Sequence, residues 1–305
     1  MTGGSGYASF NWNLVPTIQP GQLVSATATD PAGNTSEFSQ RTVFSLVPSS
    51  GPPSGGTPIN LTGTNFIVGA SVTIGDDPAP DVVVLSSGTL TALAPALPAG
   101  SVSDITVTNA DSTNGTLPSG WVVDFLDVPQ SNAFYADVIA IARNGITAGC
   151  GGGSYCIAGE VTRAQMAVFL LKSRNGACYS PPPCTGTFSD VSCPSIFADW
   201  IEALAAEGIT AGCGAGIYCP SSPVRRDQMA AFLLKASNGS NYIPPNCLGR
   251  FQDVPCPSLF ADWVEQLYAE GVTRGCGTNP LIYCPGASVT RGQMAVFLVK
   301  TFNLQ

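Results

Sequence analysis

The chain has 305 residues, enough for two or three domains, with 12 basic against 20 acidic residues and no histidine. The absence of histidine excludes the commonest general base, the Ser/His and Cys/His nucleophile pairs and most zinc sites. Only Arg41 is basic before residue 125, against eight acids, so the first part offers nothing to nucleic acid or anionic lipid; the other eleven cations lie beyond it, beside twelve acids.

Residues 1–42 hold two short strand-like runs, 8–14 and 23–29, separated by turn residues at Pro20-Gly21 and followed by Asp30-Pro31-Ala32-Gly33-Asn34. Asp30 and Glu37 read as solvated acids beside a hairpin turn, and no metal site is expected there. The stretch from Val24 to Ser39 resembles the closing strands of bacterial Ig-like modules, which implies a partial β module over 1–42. The start, Met1-Thr2-Gly3-Gly4-Ser5-Gly6, lacks the charged and apolar segments of a signal peptide, so we expect the C-terminal piece of a longer exported protein. No apolar run approaches the ~20 residues of a membrane span.

Residues 43–124 alternate apolar with Thr and Ser, as in Ile59-Asn60-Leu61-Thr62, Ser71-Val72-Thr73-Ile74 and Ile105-Thr106-Val107-Thr108, between closely spaced turn signals. This predicts an antiparallel sandwich. The segment resembles the IPT/TIG family of Ig-like domains, which implies a spacer.

From Phe125 onward the chain repeats itself at a spacing of 63 residues. Phe125-x-Asp127-Val128 recurs as Phe188-x-Asp190-Val191 and Phe251-x-Asp253-Val254. Val161-Thr162-Arg163-Ala164-Gln165-Met166 recurs at Val224 and, two residues late, at Val289. Self-similarity of this kind means three copies of one small unit. In the second, Phe197, Trp200, Ile201 and Leu204 fall at helical spacing before Gly208; Met229, Phe232, Leu233 and Ala236 make a second stripe. Each unit therefore reads as helix, loop, helix. One pair cannot bury its stripe alone, so the three pack together: an all-α pseudo-threefold bundle behind the β modules.

All eleven cysteines lie beyond residue 149. Cys150/Cys156, Cys213/Cys219 and Cys276/Cys284 bracket the same glycine-rich loop, and Cys184/Cys193 and Cys247/Cys256 bracket the junctions. No C-x-x-C pairs meet, so disulfides rather than metal are expected, in an oxidising extracellular setting. Cys178 has no counterpart and is either free or paired between chains.

The Phe-x-Asp-Val elements, the helix ending Leu204-Ala205-Ala206-Glu207-Gly208-Ile209-Thr210, and residues 161–170 resemble the S-layer homology (SLH) repeat of cell-surface proteins. The resemblance implies repeats over 125–187, 188–250 and 251–305, no enzymatic activity or cofactor, and grooves that hold cell-wall or envelope polysaccharide, including pyruvylated sugars. It departs from the family in carrying Gln165, Gln228 and Gln293 where a glutamate is usual, and in its cysteines. It points to Arg163, Arg226 and Arg291 as the groups that meet an acidic sugar.

Thr162 with Gln165, and Thr290 with Gln293, fit capping boxes. The arginines are not so easily explained, since the first helical turn disfavours a cation by about 0.3 kcal/mol. Each is either paired with Asp127, Asp190 or Asp253, or free to take a carboxylate or phosphate bidentately. Tyr155, Tyr218 and Tyr283 precede the second loop cysteine among glycines and are expected to be exposed for sugar contact. Trp200 and Trp263 lie on an apolar stripe and are expected in the core. The aspartate of Phe-x-Asp-Val is expected to cap the turn that follows. The alternative to polysaccharide anchoring is a surface lattice or filament built through protein–protein contacts.

Overall fold

Strand alternation is clearest in the central strands of the first sheet. In the computed structural model, which describes residues 43–305, β3 (Pro58–Gly63) buries Ile59 and Leu61 and turns its other residues outward, and β7 (Thr89–Leu93) does the same with Leu90 and Ala92. With β1 (Val43–Val47) and β6 (Val83–Ser86) they make an antiparallel sheet in the order β1-β3-β7-β6. A second sheet runs β2 (Ser50–Gly51), β9 (Asn114–Val123), β8 (Val102–Thr108), β4 (Ser71–Ile74), β5 (Asp77–Pro78); only the β2–β9 pairing is parallel. Val72, Ile74, Ile105, Val107 and Trp121 meet Ile59, Leu61 and Leu90 in one buried cluster, as the two inner faces of a sandwich do. The partial β module expected over 1–42 lies outside the described residues.

Six helices follow: α1 (Tyr135–Arg143), α2 (Arg163–Asn175), α3 (Ala198–Ala206), α4 (Arg226–Asn238), α5 (Ala261–Ala269) and α6 (Arg291–Phe302). They form three units, α1–α2, α3–α4 and α5–α6. The longer helices α2, α4 and α6 pack on one another, and each also packs on the first helix of the next unit: α2 on α3, α4 on α5, α6 on α1. The ring therefore closes. Met166, Leu170, Met229, Leu233, Met294 and Leu298, spaced four apart on each helix, are wholly buried in the core this creates. Beside them the chain closes a triangle of backbone hydrogen bonds, Val161 N–H to Val289 O, Val224 N–H to Val161 O and Val289 N–H to Val224 O, each 2.9 Å.

Disulfides join Cys150–Cys156, Cys213–Cys219 and Cys276–Cys284 across the loops, and Cys184–Cys193 and Cys247–Cys256 across the linkers. Cys178 is free and exposed. The linker before α3 is held by Glu202, whose carboxylate accepts from the amides of Thr185 (2.6 Å), Gly186 and Thr187 (2.8 Å each) and from the Thr185 hydroxyl (2.9 Å). Glu265 of α5 accepts from the amides of Leu248 and Arg250 at 2.6 and 2.7 Å. The corresponding position of α1 is Ile139, and α1 instead binds the sandwich. Tyr135 Oη donates to Asp124 Oδ1 at 2.5 Å and lies 2.9 Å from Ser50 Oγ. Arg143 Nη2 reaches the Ser49 carbonyl (3.0 Å) and hydroxyl (2.6 Å), and Val122 of β9 joins the helical core. Among the described residues no helix is long and apolar enough to cross a membrane.

Candidate functional site

Each of the three motif arginines opens a helix, α2, α4 or α6, and crosses to the next unit in the ring. Arg163 Nε donates to the Tyr218 carbonyl (2.7 Å), Arg226 Nε to that of Tyr283 (3.0 Å), and Arg291 Nε to that of Tyr155 (2.7 Å). The guanidinium carbons sit 4.8, 4.9 and 4.6 Å from the ring centroids of the same tyrosines, and 5.4 to 5.6 Å from Phe232, Phe297 and Phe169. In return Tyr218 Oη donates to Arg163 O (2.8 Å), Tyr283 Oη to Arg226 O (2.9 Å) and Tyr155 Oη to Arg291 O (2.9 Å). Every arginine is thus bolted across a joint between units, 3 to 6 % exposed.

This arrangement corrects three expectations. Tyr155, Tyr218 and Tyr283 are fully buried, so they are not available to stack on a sugar; their neighbouring glycines serve loop geometry, not exposure. Burial pushes the tyrosine hydroxyls well above their ordinary range, which keeps them neutral hydrogen-bond donors. The arginines form no salt bridge with Asp127, Asp190 or Asp253. Those carboxylates instead clasp the disulfide loop about thirty residues further on, rather than the turn that follows them: Asp127 accepts from Tyr155 N–H (2.6 Å) and Cys156 N–H (2.7 Å), Asp190 from Tyr218 and Cys219 (2.8 and 2.7 Å), Asp253 from Tyr283 and Cys284 (2.7 Å each). Burial works against the charge of Asp127, but hydrogen bonds from Tyr155, Ile157 and Cys156 together hold its carboxyl below the ordinary range. At Asp190 the Tyr218 amide is the chief cause of the same lowering. Asp253, Cys276 and Cys284 lie close together, but both sulfurs are in a disulfide and cannot act as thiolate ligands.

The loop needs glycine. Gly149, Gly212 and Gly275 have φ of 86°, 89° and 79°, and a Cβ there would fall 2.3 to 2.4 Å from a carbonyl oxygen of the clasped loop. The helix starts are equally occupied: Arg163 N–H and Ala164 N–H donate to Ser222 O and Pro220 O, and α4 and α6 dock on the next unit in the same way. Capping boxes form at Thr162/Gln165 and Thr290/Gln293. At α4, which starts after Arg225, Asp227 substitutes: it accepts from Gln228 N–H (2.7 Å) and pairs with the Arg225 guanidinium.

At each joint a groove opens above the buried arginine, with volumes of about 260, 190 and 290 Å³. The first is lined by Arg291, Thr147, Gly149, Gln165, Lys172 and Phe197; the second by Arg163, Thr210, Gly212, Gln228, Lys235 and Phe260; the third by Arg226, Thr273, Gly275, Gln293, Lys300 and Phe134. All three units contribute to every groove. Each guanidinium lines its groove while its Nε is held by a tyrosine carbonyl. Arg163 and Arg291 make only a 3.4 Å contact from Nη2 to Thr210 and Thr147, and the Nη groups of Arg226 have no hydrogen-bond partner among the described residues. Burial lowers the arginine pKa values, yet a guanidinium stays charged.

The lysines were not singled out from the sequence. Lys172, Lys235 and Lys300 each follow a motif arginine by nine residues, and that constant interval was the available signal. Lys172 Nζ rests 3.1 Å from the Gly145 carbonyl, and Lys235 Nζ lies 5.8 Å from the Trp263 ring centroid. Trp200 and Trp263 are half-buried, each edge-on to a tyrosine, Tyr179 at 5.9 Å and Tyr242 at 6.2 Å.

Residues 42–120 match the IPT/TIG domain family and residues 124–167 match the S-layer homology domain family. An amylopullulanase of Thermoanaerobacterium thermosulfurigenes is 28% identical over 118 residues, which are 39% of this chain and 6% of that protein. An exoglucanase XynX of Acetivibrio thermocellus is 30% identical over 118 residues, 39% of this chain and 10% of that protein. The chain therefore spans about a tenth or less of the length of these relatives. The TIG domain of human nuclear factor of activated T-cells, cytoplasmic 4, is similar over 28% of this chain and 90% of its own, at 21% identity and a TM-score of 0.24. The segment that matches the IPT/TIG domain family is thus followed directly by the segment that matches the S-layer homology domain family.

Proposed function

We propose that residues 125–187, 188–250 and 251–305 are three S-layer homology repeats forming a non-enzymatic anchor outside the cell. Its three grooves hold an acidic cell-wall or envelope polysaccharide, with carboxylates such as pyruvate ketals as the recognised groups, and the sandwich over 43–124 is its spacer. The observation that carries this is the threefold recurrence of a groove lined by a desolvated guanidinium, whose Nη groups make at most one long 3.4 Å contact, and by a lysine. Such a pair suits a carboxylate flanked by sugar hydroxyls. The small share of each relative that matches, in proteins named for different activities, supports a module separate from the catalytic parts.

The test is retention of the full chain on purified cell-wall sacculi, before and after acidic glycans are stripped. Because the arginines hold the joints together, the informative variant changes the lysines: Lys172→Gln, Lys235→Gln and Lys300→Gln together weaken retention by about tenfold or more while the melting temperature barely moves. Undiminished retention by that variant, or equal retention on stripped sacculi, overturns the reading.

A surface lattice is the second reading. It rests on the exposed thiol of Cys178 and on the edge strand β6, where Val83 and Leu85 are exposed. Polymers that form with concentration and without glycan favour it.

A further inference from the structure

The three grooves share a plan but not a chemistry. In the loop that carries Gly149, Gly212 and Gly275, the preceding residue is Ala148 in the first groove, Ala211 in the second and Arg274 in the third. Arg274 lines the same cavity as Arg226, is exposed at its mouth, and has neither a hydrogen bond nor an ion pair among the described residues. Helix α1, beside the third groove, differs as well. Where Trp200 stands at α3 and Trp263 at α5, α1 has Asp137, whose carboxyl pKa is pushed up by burial against the opposing pull of the Lys300 ammonium.

We propose that this third groove is a phosphate-selective subsite, taking a phosphate-bearing sugar where the other two take singly charged carboxylates. A carboxylate has two oxygens and one charge, which a single guanidinium edge satisfies. A phosphate monoester presents three terminal oxygens and close to two charges at neutral pH, and engages two guanidinium edges at once. Arg226 supplies one from the floor and Arg274 the second from the rim, with Lys300 beside them. On α1, Asp137 stands at the helix position where α3 and α5 carry Trp200 and Trp263. The inference rests on the anchor reading, which it deepens for one groove.

The three loop glycines make the test direct, since their backbone amides report separately which groove fills. The full chain is titrated by NMR with glucose 6-phosphate, with glucuronate and with inorganic phosphate. The expected result is that glucose 6-phosphate shifts the Gly275 amide at a concentration about tenfold lower than it shifts Gly149 or Gly212, while glucuronate fills all three alike. Arg274→Ala abolishes the preference and Arg274→Lys restores part of it; both variants keep the fold because the side chain is exposed. Inorganic phosphate that shifts Gly275 as readily as glucose 6-phosphate assigns the selectivity to the phosphate group alone, and a weaker response assigns it to phosphate together with the sugar; either supports the subsite. Equal responses of the three glycines to glucose 6-phosphate, or an unchanged preference in Arg274→Ala, overturn the inference and leave the anchor reading standing. Failure of both sugars to shift any of the three amides overturns the inference; loss of sacculus retention in the lysine variant then decides the anchor reading independently.

Discussion

An arginine at the first position of a helix costs a little free energy wherever it has no partner, and here the same residue is placed three times. Its partners lie in the next unit: a tyrosine carbonyl on Nε, a tyrosine face under the guanidinium, and a tyrosine hydroxyl returning to the arginine carbonyl. One buried charged hydrogen bond and one desolvated cation–π contact are together worth several times the helix-dipole cost. Arg163→Ala is therefore expected to destabilise the helical part by about 2 kcal/mol, measured by chemical denaturation. Tyr218→Phe removes only the hydroxyl bond to Arg163 O and is expected to cost about 1 kcal/mol, with retention on sacculi unchanged because the ring never meets the groove. A larger loss of retention than of stability in Tyr218→Phe would give the hydroxyl a role beyond the joint.

At the scale of elements, the stripes, the glycine stops, the capping boxes and the register of the cysteines could all be read from the chain, because each is a local pattern that recurs two or three times. The tyrosines could not. Tyr218 lies 55 residues from Arg163, and Tyr155 lies 136 from Arg291, so a period of 63 reveals that the two recur but not that they meet. Reading the loop tyrosines as exposed failed for that reason: glycine-rich flanks describe a loop's backbone, and it is the ring closure that buries its side chain. The carboxylates were misassigned in the same way, since Phe-x-Asp-Val looks like a cap for the next turn and in fact clasps a loop a whole helix later. Glu202 shows what such a clasp does to titration. Burial opposes its charge, but amide and hydroxyl donors from Thr185, Thr187 and Gly186 outweigh it, and its pKa falls from 4.5 to about 2. A carboxyl lowered in the folded state stabilises above its unfolded pKa, and the contribution is lost as pH falls through the folded value. Thermal melts are therefore expected to lose stability between about pH 4.5 and 2, and Glu202→Gln to flatten that part of the profile. A variant with the same acid slope as the wild type would remove Glu202 from the account.

For the molecule as a whole, the sandwich and the first helical unit are one packed body, because Val122 enters the helical core and Tyr135 and Arg143 bind Asp124 and Ser49. Hydrogen exchange followed by mass spectrometry is expected to show α1 exchanging faster in a Tyr135→Phe, Arg143→Ala double variant while α3 and α5 keep wild-type protection. Equal loosening of all three helices would mean that the junction carries no more than the other linkers. The backbone triangle through Val161, Val224 and Val289 sets a different kind of limit. A linear array of helical pairs can gain or lose a member at either end, at the price of a cap. A triangle has no end. Splicing in a fourth unit would force it open, and removing one would leave two mismatched halves with bare apolar flanks, so the number of units is locked at three, and evolution could vary the lining of each cleft but not their number.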